Sequence, residues 1–298
     1  MTCLPLVIPG EGLLLTVLTP VPLIVLSVKY PWRYGLGVIG IEAGVIGFVG
    51  DWSAGFFLCQ YAVIALSIAW AVRRVASLVQ TIIGSVLASL TLGGILLVAY
   101  GMITQQSLPQ LFTSYLDQIF HAVREQLQAL ERGTGGEPSV TAGASETLPQ
   151  FILTIFPAMI IINHLFTNVL NYAFARSYCA RSHPPIFFDT IQLSHWRVWE
   201  PLVWVFLASG AALLLPWSAV SVLGLNVFLV TLAIYFLQGI AVVAFWGQRV
   251  PFPPGVQWLV LLMLFLMTGP LGVGLCIAAG LFDLWVDFRR LRRGSLVP

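Results

Sequence analysis

Charge is what this chain lacks most: 14 basic and 12 acidic side chains are spread over 298 residues, 9% of the total against 58% hydrophobic residues. A soluble globule of this length needs far more polar surface, so the composition excludes that class and points to a protein embedded in lipid. Lysine occurs once, at Lys29, which excludes a G-x-x-x-x-G-K-[ST] phosphate loop and ATP hydrolysis by that route. A net charge of +2 offers no basic face for nucleic acid. The four cysteines, Cys3, Cys59, Cys179 and Cys276, are scattered, three of them in or beside apolar segments, which suits small buried hydrophobes better than a disulfide framework. H-E-x-x-H, C-x-x-C and G-x-S-x-G are missing, and the histidines stand at least twelve positions apart. No metal site, no cofactor and no catalytic residue is therefore expected, and the chain reads as a non-enzyme.

What is present is a succession of apolar stretches. A helix rises about 1.5 Å per residue, so a hydrocarbon core of about 30 Å takes roughly 20 apolar residues. Stretches at 11–28, 35–50, 54–72, 78–102, 150–173, 201–216 and 220–246 read as spans, followed by a long apolar block at 254–287. The first stretch lacks a basic leader and reads as a retained span. The expected fold is all-α: a polytopic integral membrane bundle of about 8–9 transmembrane helices, a single domain over 1–293. Gly269 and Pro270 lie near the middle of the last block, where proline removes a backbone donor, so the block splits into a hairpin or kinks.

Short loops rich in Lys and Arg stay in the cytoplasm, and this decides between the two. With the N-terminus outside, Lys29, Arg33, Arg73, Arg74, Arg176, Arg181, Arg197 and Arg249 all fall in cytoplasmic loops. A single last helix would strand Arg289, Arg290, Arg292 and Arg293 outside, whereas a hairpin brings them back and puts twelve of the 14 basic residues inside. The expectation is nine helices in a bacterial inner membrane, N-terminus out and C-terminus in. The lipid bilayer is thus the first partner.

Outside the bilayer, the extramembrane piece 104–149 opens with an amphipathic helix, with Leu108, Leu111, Phe112, Tyr115 and Leu116 at three- and four-residue steps. A flexible linker, Gly133 to Ser145, follows it. The stretch 182–200 reads as interfacial, with Trp196 and Trp199 as belt residues. Gly294 to Pro298 resembles part of an engineered protease-site linker.

Polar groups at membrane depth are the candidate functional residues. Glu42 lies mid-span, where an ionised side chain costs about 2.5–3.5 kcal/mol, so it is expected to face the bundle or a wet cavity, as interhelical glue or as a ligand- or proton-handling group. Around it Gly37, Gly40, Gly44 and Gly47 follow helical spacing, and the G-x-x-x-G pair permits close helix packing. In the fifth span Asn163, His164, Thr167, Asn168 and Asn171 occupy one arc of about 140°, a polar stripe that either lines a solute cavity or hydrogen-bonds between helices. Gln60, Asn226 and Gln238 read as isolated interhelical contacts. Near the C-terminus Asp283, Asp287, Arg289 and Arg290 read as a helix end with interfacial anchoring, or as a docking contact for a cytoplasmic protein.

Pro20 and Pro22 in the first span, Phe156-Pro157-Ala158, Asn171 to Arg176, and the terminal Gly280, Asp283, Asp287 and Arg289 resemble YybS-like (DUF2232) bacterial membrane proteins, a family of unknown function. The resemblance covers essentially the whole chain. That family is in turn distantly similar to the S subunits of energy-coupling-factor vitamin transporters. This implies binding or transport of a small polar solute within the helices, powered by separate ATPase subunits. The first span, Leu13 to Val28, departs from S subunits in lacking an A-x-x-x-A docking surface. Two readings remain open: a solute-binding protein using Glu42 and the stripe, and a non-transporting membrane scaffold that docks other proteins.

Overall fold

The computed structural model describes residues 17–49, 52–105, 107, 110, 141–182, 193–249, 263 and 268–289. Among them are eight α-helices: α1 (Pro20–Lys29), α2 (Trp32–Val49), α3 (Trp52–Arg73), α4 (Leu78–Thr104), α5 (Thr141–Ala180), α6 (Leu202–Ala212), α7 (Ser218–Gly247) and α8 (Pro270–Val286), with one 3-10 turn at Leu193–His195. The described residues form no strand, and the fold is all-helical as the hydropathy predicts. Within these helices Gly55–Arg73, Leu78–Thr104, Phe151–Ala180 and Ser218–Gly247 are long and apolar enough to cross a membrane, while α1, α6 and α8 are shorter apolar helices.

Local chemistry sets the helix ends. Ser77 and Gln80 form a reciprocal capping box at the start of α4, which satisfies two backbone donors that the helix itself leaves unpaired. Pro20 and Pro270 each occupy the first turn of a helix, where the missing N–H has no intrahelical partner to lose. Gly269 precedes Pro270 with φ of +52°, a left-handed conformation open mainly to glycine, and the chain therefore breaks where the apolar block 254–287 was expected to break. The preceding arm of that block lies almost wholly outside the described residues. So do 111–140, which carry most of the expected amphipathic helix and linker. At its far end the linker reading is corrected: Thr141 to Ser145 already form the start of α5.

The chain divides into two compact units. The first holds α1 to α4 and residues 163–180 of α5, together with the helix's start up to Thr154. In it α3 packs against α1, α2 and α4, burying Ile64, Ala65, Ile68 and Ala69 with Ile24, Leu78 and Ile82. The alanines matter because lipid is as apolar as a leucine side chain: helices associate in it through close van der Waals fit and hydrogen bonds, and small residues let the backbones approach.

The second unit holds residues 155–162 of α5, the 3-10 turn and α6 to α8. Helix α7 is its axis, with α6 and α8 against it. The α7–α8 crossing depends on Gly239 and Gly280: a Cβ on Gly239 would run into the carbonyl of Cys276, and one on Gly280 into the carbonyl of Tyr235. Val198, Tyr235 and Leu284 form a buried cluster against which Trp196, Leu202 and Phe206 pack. Trp196 thus packs on the core of this unit, unlike the belt residue the sequence suggested, whereas Trp199 is 75% exposed.

Candidate functional site

Three polar constellations lie at membrane depth or at its edge. The first is the stripe on α5. Asn168 is fully buried and bonded on both sides: its Nδ2 donates to the carbonyl of His164 at 2.8 Å, and its Oδ1 accepts from the Ser85 hydroxyl of α4. Ser85 lies 2.7 Å from the Ser67 hydroxyl of α3, so a continuous chain of hydrogen bonds joins α3, α4 and α5. Asn171, also fully buried, donates from Nδ2 to the carbonyls of Thr167 at 2.7 Å and Val17 at 2.8 Å, while its Oδ1 has no hydrogen-bond partner. Thr167 is buried with them, His164 is partly buried, and Asn163 is exposed. The lower half of the stripe thus holds helices together. An amide group in an apolar setting is retained only where its donors and acceptors are used, and these mostly are.

The second is Glu42. At 100° per residue it projects from α2 on the same side as Gly35, Ile39 and Ile46, the residues of that helix least open to the outside. Its own side chain is exposed, so of the two expected settings, bundle interior or wet cavity, the described residues do not supply the first. Gly37, Gly40, Gly44 and Gly47 fall within an arc of about 80° on the far side. A Cβ added to any of them would meet open space, so among the described residues no other helix packs against the G-x-x-x-G face.

The third surrounds Asp283 and Arg289. Both are buried, at 1% and 3% exposure. Arg289 grips Asp283 Oδ2 with Nε at 3.1 Å and Nη2 at 2.7 Å, and its Nη1 donates to the carbonyls of Ser194 at 2.7 Å and Trp196 at 2.8 Å. Gln238 of α7 adds a donor to the same carboxylate oxygen at 3.3 Å and accepts the Val198 N–H at 3.2 Å. Alongside, Arg197 donates to the Leu284 carbonyl at 2.9 Å and pairs with Glu200 at 3.2 Å. Asp283 and Arg289 spend their charges on one another inside the fold, which favours a helix-end anchor over a docking contact for this pair. Asp287, partly buried, caps α8 in a left-handed conformation with its N–H on the Asp283 carbonyl, and Arg290 lies outside the described residues.

The sequence picked out Asp283 and Arg289 but missed what they bind, and it missed Ser67 and Ser85 altogether. Serine is too common in apolar helices to signal by itself; the cue was Ser85 and Ser89 stepping by four on α4. Of the isolated amides, Asn226 and Gln238 make the expected contacts, while the buried Gln60 Oε1 has no hydrogen-bond partner. Asn226 accepts the Ala158 N–H at 2.9 Å beside Pro157, and Gln238 bridges as described. A groove of about 530 Å³ along α4, lined by Thr91, Gly94, Ile95, Val98 and Met102, is open and apolar and contains none of the candidate residues. Among the described residues no cluster of His, Cys, Asp and Glu is arranged to hold a metal ion.

The family described as "Predicted membrane protein (DUF2232)" matches residues 1–284. The chain belongs to the DUF2232 family. The match takes in every described helix except the last residues of α8, and it includes Gly239, Gly280 and Asp283 but stops short of Arg289. This DUF2232 chain matches no curated protein and no solved structure. It is a helical membrane protein of an uncharacterised family, in contact with the lipid bilayer.

Proposed function

We propose that this protein is a non-catalytic, non-transporting interaction protein of the bacterial inner membrane, with the N-terminus outside, the C-terminus in the cytoplasm, and α2 as the helix that receives a partner. The observation that carries the reading is the state of α2: a mid-helix carboxylate and a four-glycine face, both uncovered by the other described residues. A carboxylate facing lipid is costly, and a glycine face gains nothing from lipid, whereas a second helix laid along it gains close backbone contact. The polar groups inside the units are mostly spent on one another, which favours a structural role for them over a solute site.

The orientation is supported by the gathering of Lys29, Arg33, Arg73 and Arg74 at one end of the first unit, where Arg73 caps the carbonyls of Ser27 and Tyr30. The solute-binding reading keeps two supporting observations: Asn163 is exposed and His164 only partly buried at the N-terminal end of the stripe, and Asn171 Oδ1 is an acceptor in want of a donor. Its link to S subunits rests on the resemblance alone.

Gly40→Leu with Gly44→Leu tests the preferred reading. Both side chains would enter open space, so the isolated chain should keep its thermal stability, while the complex extracted from native membranes in mild detergent should fall in mass. A wild-type protein that runs as a bare monomer, or a variant with an unchanged complex, would defeat it.

A further inference from the structure

We propose that the basic rim of the first unit is a docking surface for the headgroups of anionic phospholipids. Four helix ends meet there. Arg73, in the last turn of α3, donates from Nε to the Ser27 carbonyl of α1 at 2.9 Å and from Nη2 to the Tyr30 carbonyl between α1 and α2. Lys29, the last residue of α1, stands 5.2 Å from the ring centre of Tyr178 in the last turns of α5. Lys29, Arg33, Arg73 and Arg74 consequently share one rim. Their division of labour follows from these contacts: Arg73 ties the helix ends together, and Lys29, Arg33 and Arg74 supply charge.

Among the described residues of this unit the carboxylates stand away from this rim: Glu42 is nine residues beyond Arg33 and so about 13 Å further along α2, and Glu146 is more than eight turns before Tyr178 in α5. In place of carboxylates the cations have aromatic faces. Arg33 lies 5.2 Å from the Tyr34 ring centre, Arg73 5.1 Å from Trp32 and Arg74 4.3 Å from Trp70. An aromatic face orients a guanidinium without cancelling its charge, and tyrosine and tryptophan belong at the headgroup level of a bilayer. Arg33 and Arg74 are both exposed, and a guanidinium fork fits two oxygens of a phosphate.

The apolar neighbourhood selects lipid among phosphate-bearing ligands. Tyr30, Tyr34, Leu36, Trp70 and Tyr178 are each about half exposed beside these cations, so a phosphate seated here has apolar surface next to it, as the acyl chains of a phospholipid require. The negative leaflet surface attracts basic residues held at this depth, and several acting together discriminate an anionic from a zwitterionic headgroup.

The experiment uses the full chain in a neutral detergent, titrated with phosphatidylglycerol, phosphatidylcholine or inorganic phosphate at matched phosphate concentration. Thermal unfolding and the lipid retained after gel filtration are read together. Phosphatidylglycerol should raise Tm and stay bound, and the effect should fade as salt screens the rim. Arg33→Gln with Arg74→Gln should weaken retention on the order of tenfold at low salt, while Arg33→Lys with Arg74→Lys keeps most of it. Arg249→Gln, in the second unit beside Phe245 and Trp246, should change nothing. Equal stabilisation by phosphatidylcholine or by inorganic phosphate, wild-type retention in the Gln pair, or an effect indifferent to salt would overturn the proposal. The substitutions remove ring contacts with Tyr34 and Trp70 and leave the Arg73 bonds to Ser27 and Tyr30 in place, so the Gln pair should fold; should it not, the salt dependence and the lipid comparison on the wild-type protein decide alone.

Discussion

Asp283 shows how one residue gains its meaning from another. By position alone it is an acid near a helix end, one turn before Asp287. In the folded chain its Oδ2 takes two bonds from Arg289 and one from Gln238, and the pair is dry. Removing one member of such a pair strands the other charge and typically costs about 3–5 kcal/mol, whereas replacing both by apolar residues of similar volume costs far less. Asp283→Asn alone should therefore lower the melting temperature sharply. Asp283→Leu with Arg289→Met should recover much of the loss, tempered by the Ser194 and Trp196 carbonyls that Arg289 now satisfies. A double variant less stable than either single one, by thermal unfolding in detergent, would show that the pair does not act as a unit. Asn168 teaches the same lesson. Its stripe neighbours were visible in the sequence by their spacing, but the Ser85 hydroxyl that decides between cavity and glue was not.

Helices and their breaks were more legible, because hydropathy and proline act locally. The starts of α4 and α8 lie within a residue or two of their expected places, the first set by the Ser77 capping box and the second by Gly269 and Pro270. Helix α5 is the instructive exception, beginning at Thr141 inside a tract whose glycines suggested a linker. It also carries Pro157 in its interior. Proline has no N–H and crowds the carbonyl four residues back, and within a membrane the loosened backbone must find partners elsewhere. Asn226 of α7 meets that need by accepting the Ala158 N–H. Asn226→Leu is accordingly expected to cost about 1 kcal/mol in the wild-type background, in the range of interhelical hydrogen bonds in membranes, and clearly less in a Pro157→Ala background. A double-mutant cycle on thermal stability measures the coupling, and strictly additive effects would refute the link.

At the scale of the whole molecule, the sparse charges direct both insertion and assembly. A chain that keeps its basic residues in short loops at one face is expected to hold them in the cytoplasm. A fluorescent reporter fused after Arg293 should therefore be active inside the cell, and a periplasmic phosphatase at the same point should be inactive; the reverse pattern would remove both the split of 254–287 and the proposed orientation. What the sequence determined by itself was embedding in lipid and the position of most helices, since both depend on how many consecutive residues avoid charge. Tertiary structure alone decided that Glu42 and its neighbouring glycines meet none of the other described helices, that Asp283 and Arg289 close on each other, and that Asn168 and Asn171 of the α5 stripe join helices. The physical reason is that transfer into lipid is summed along the chain, whereas satisfying a polar group depends on which atoms of other helices come within about 3 Å of it.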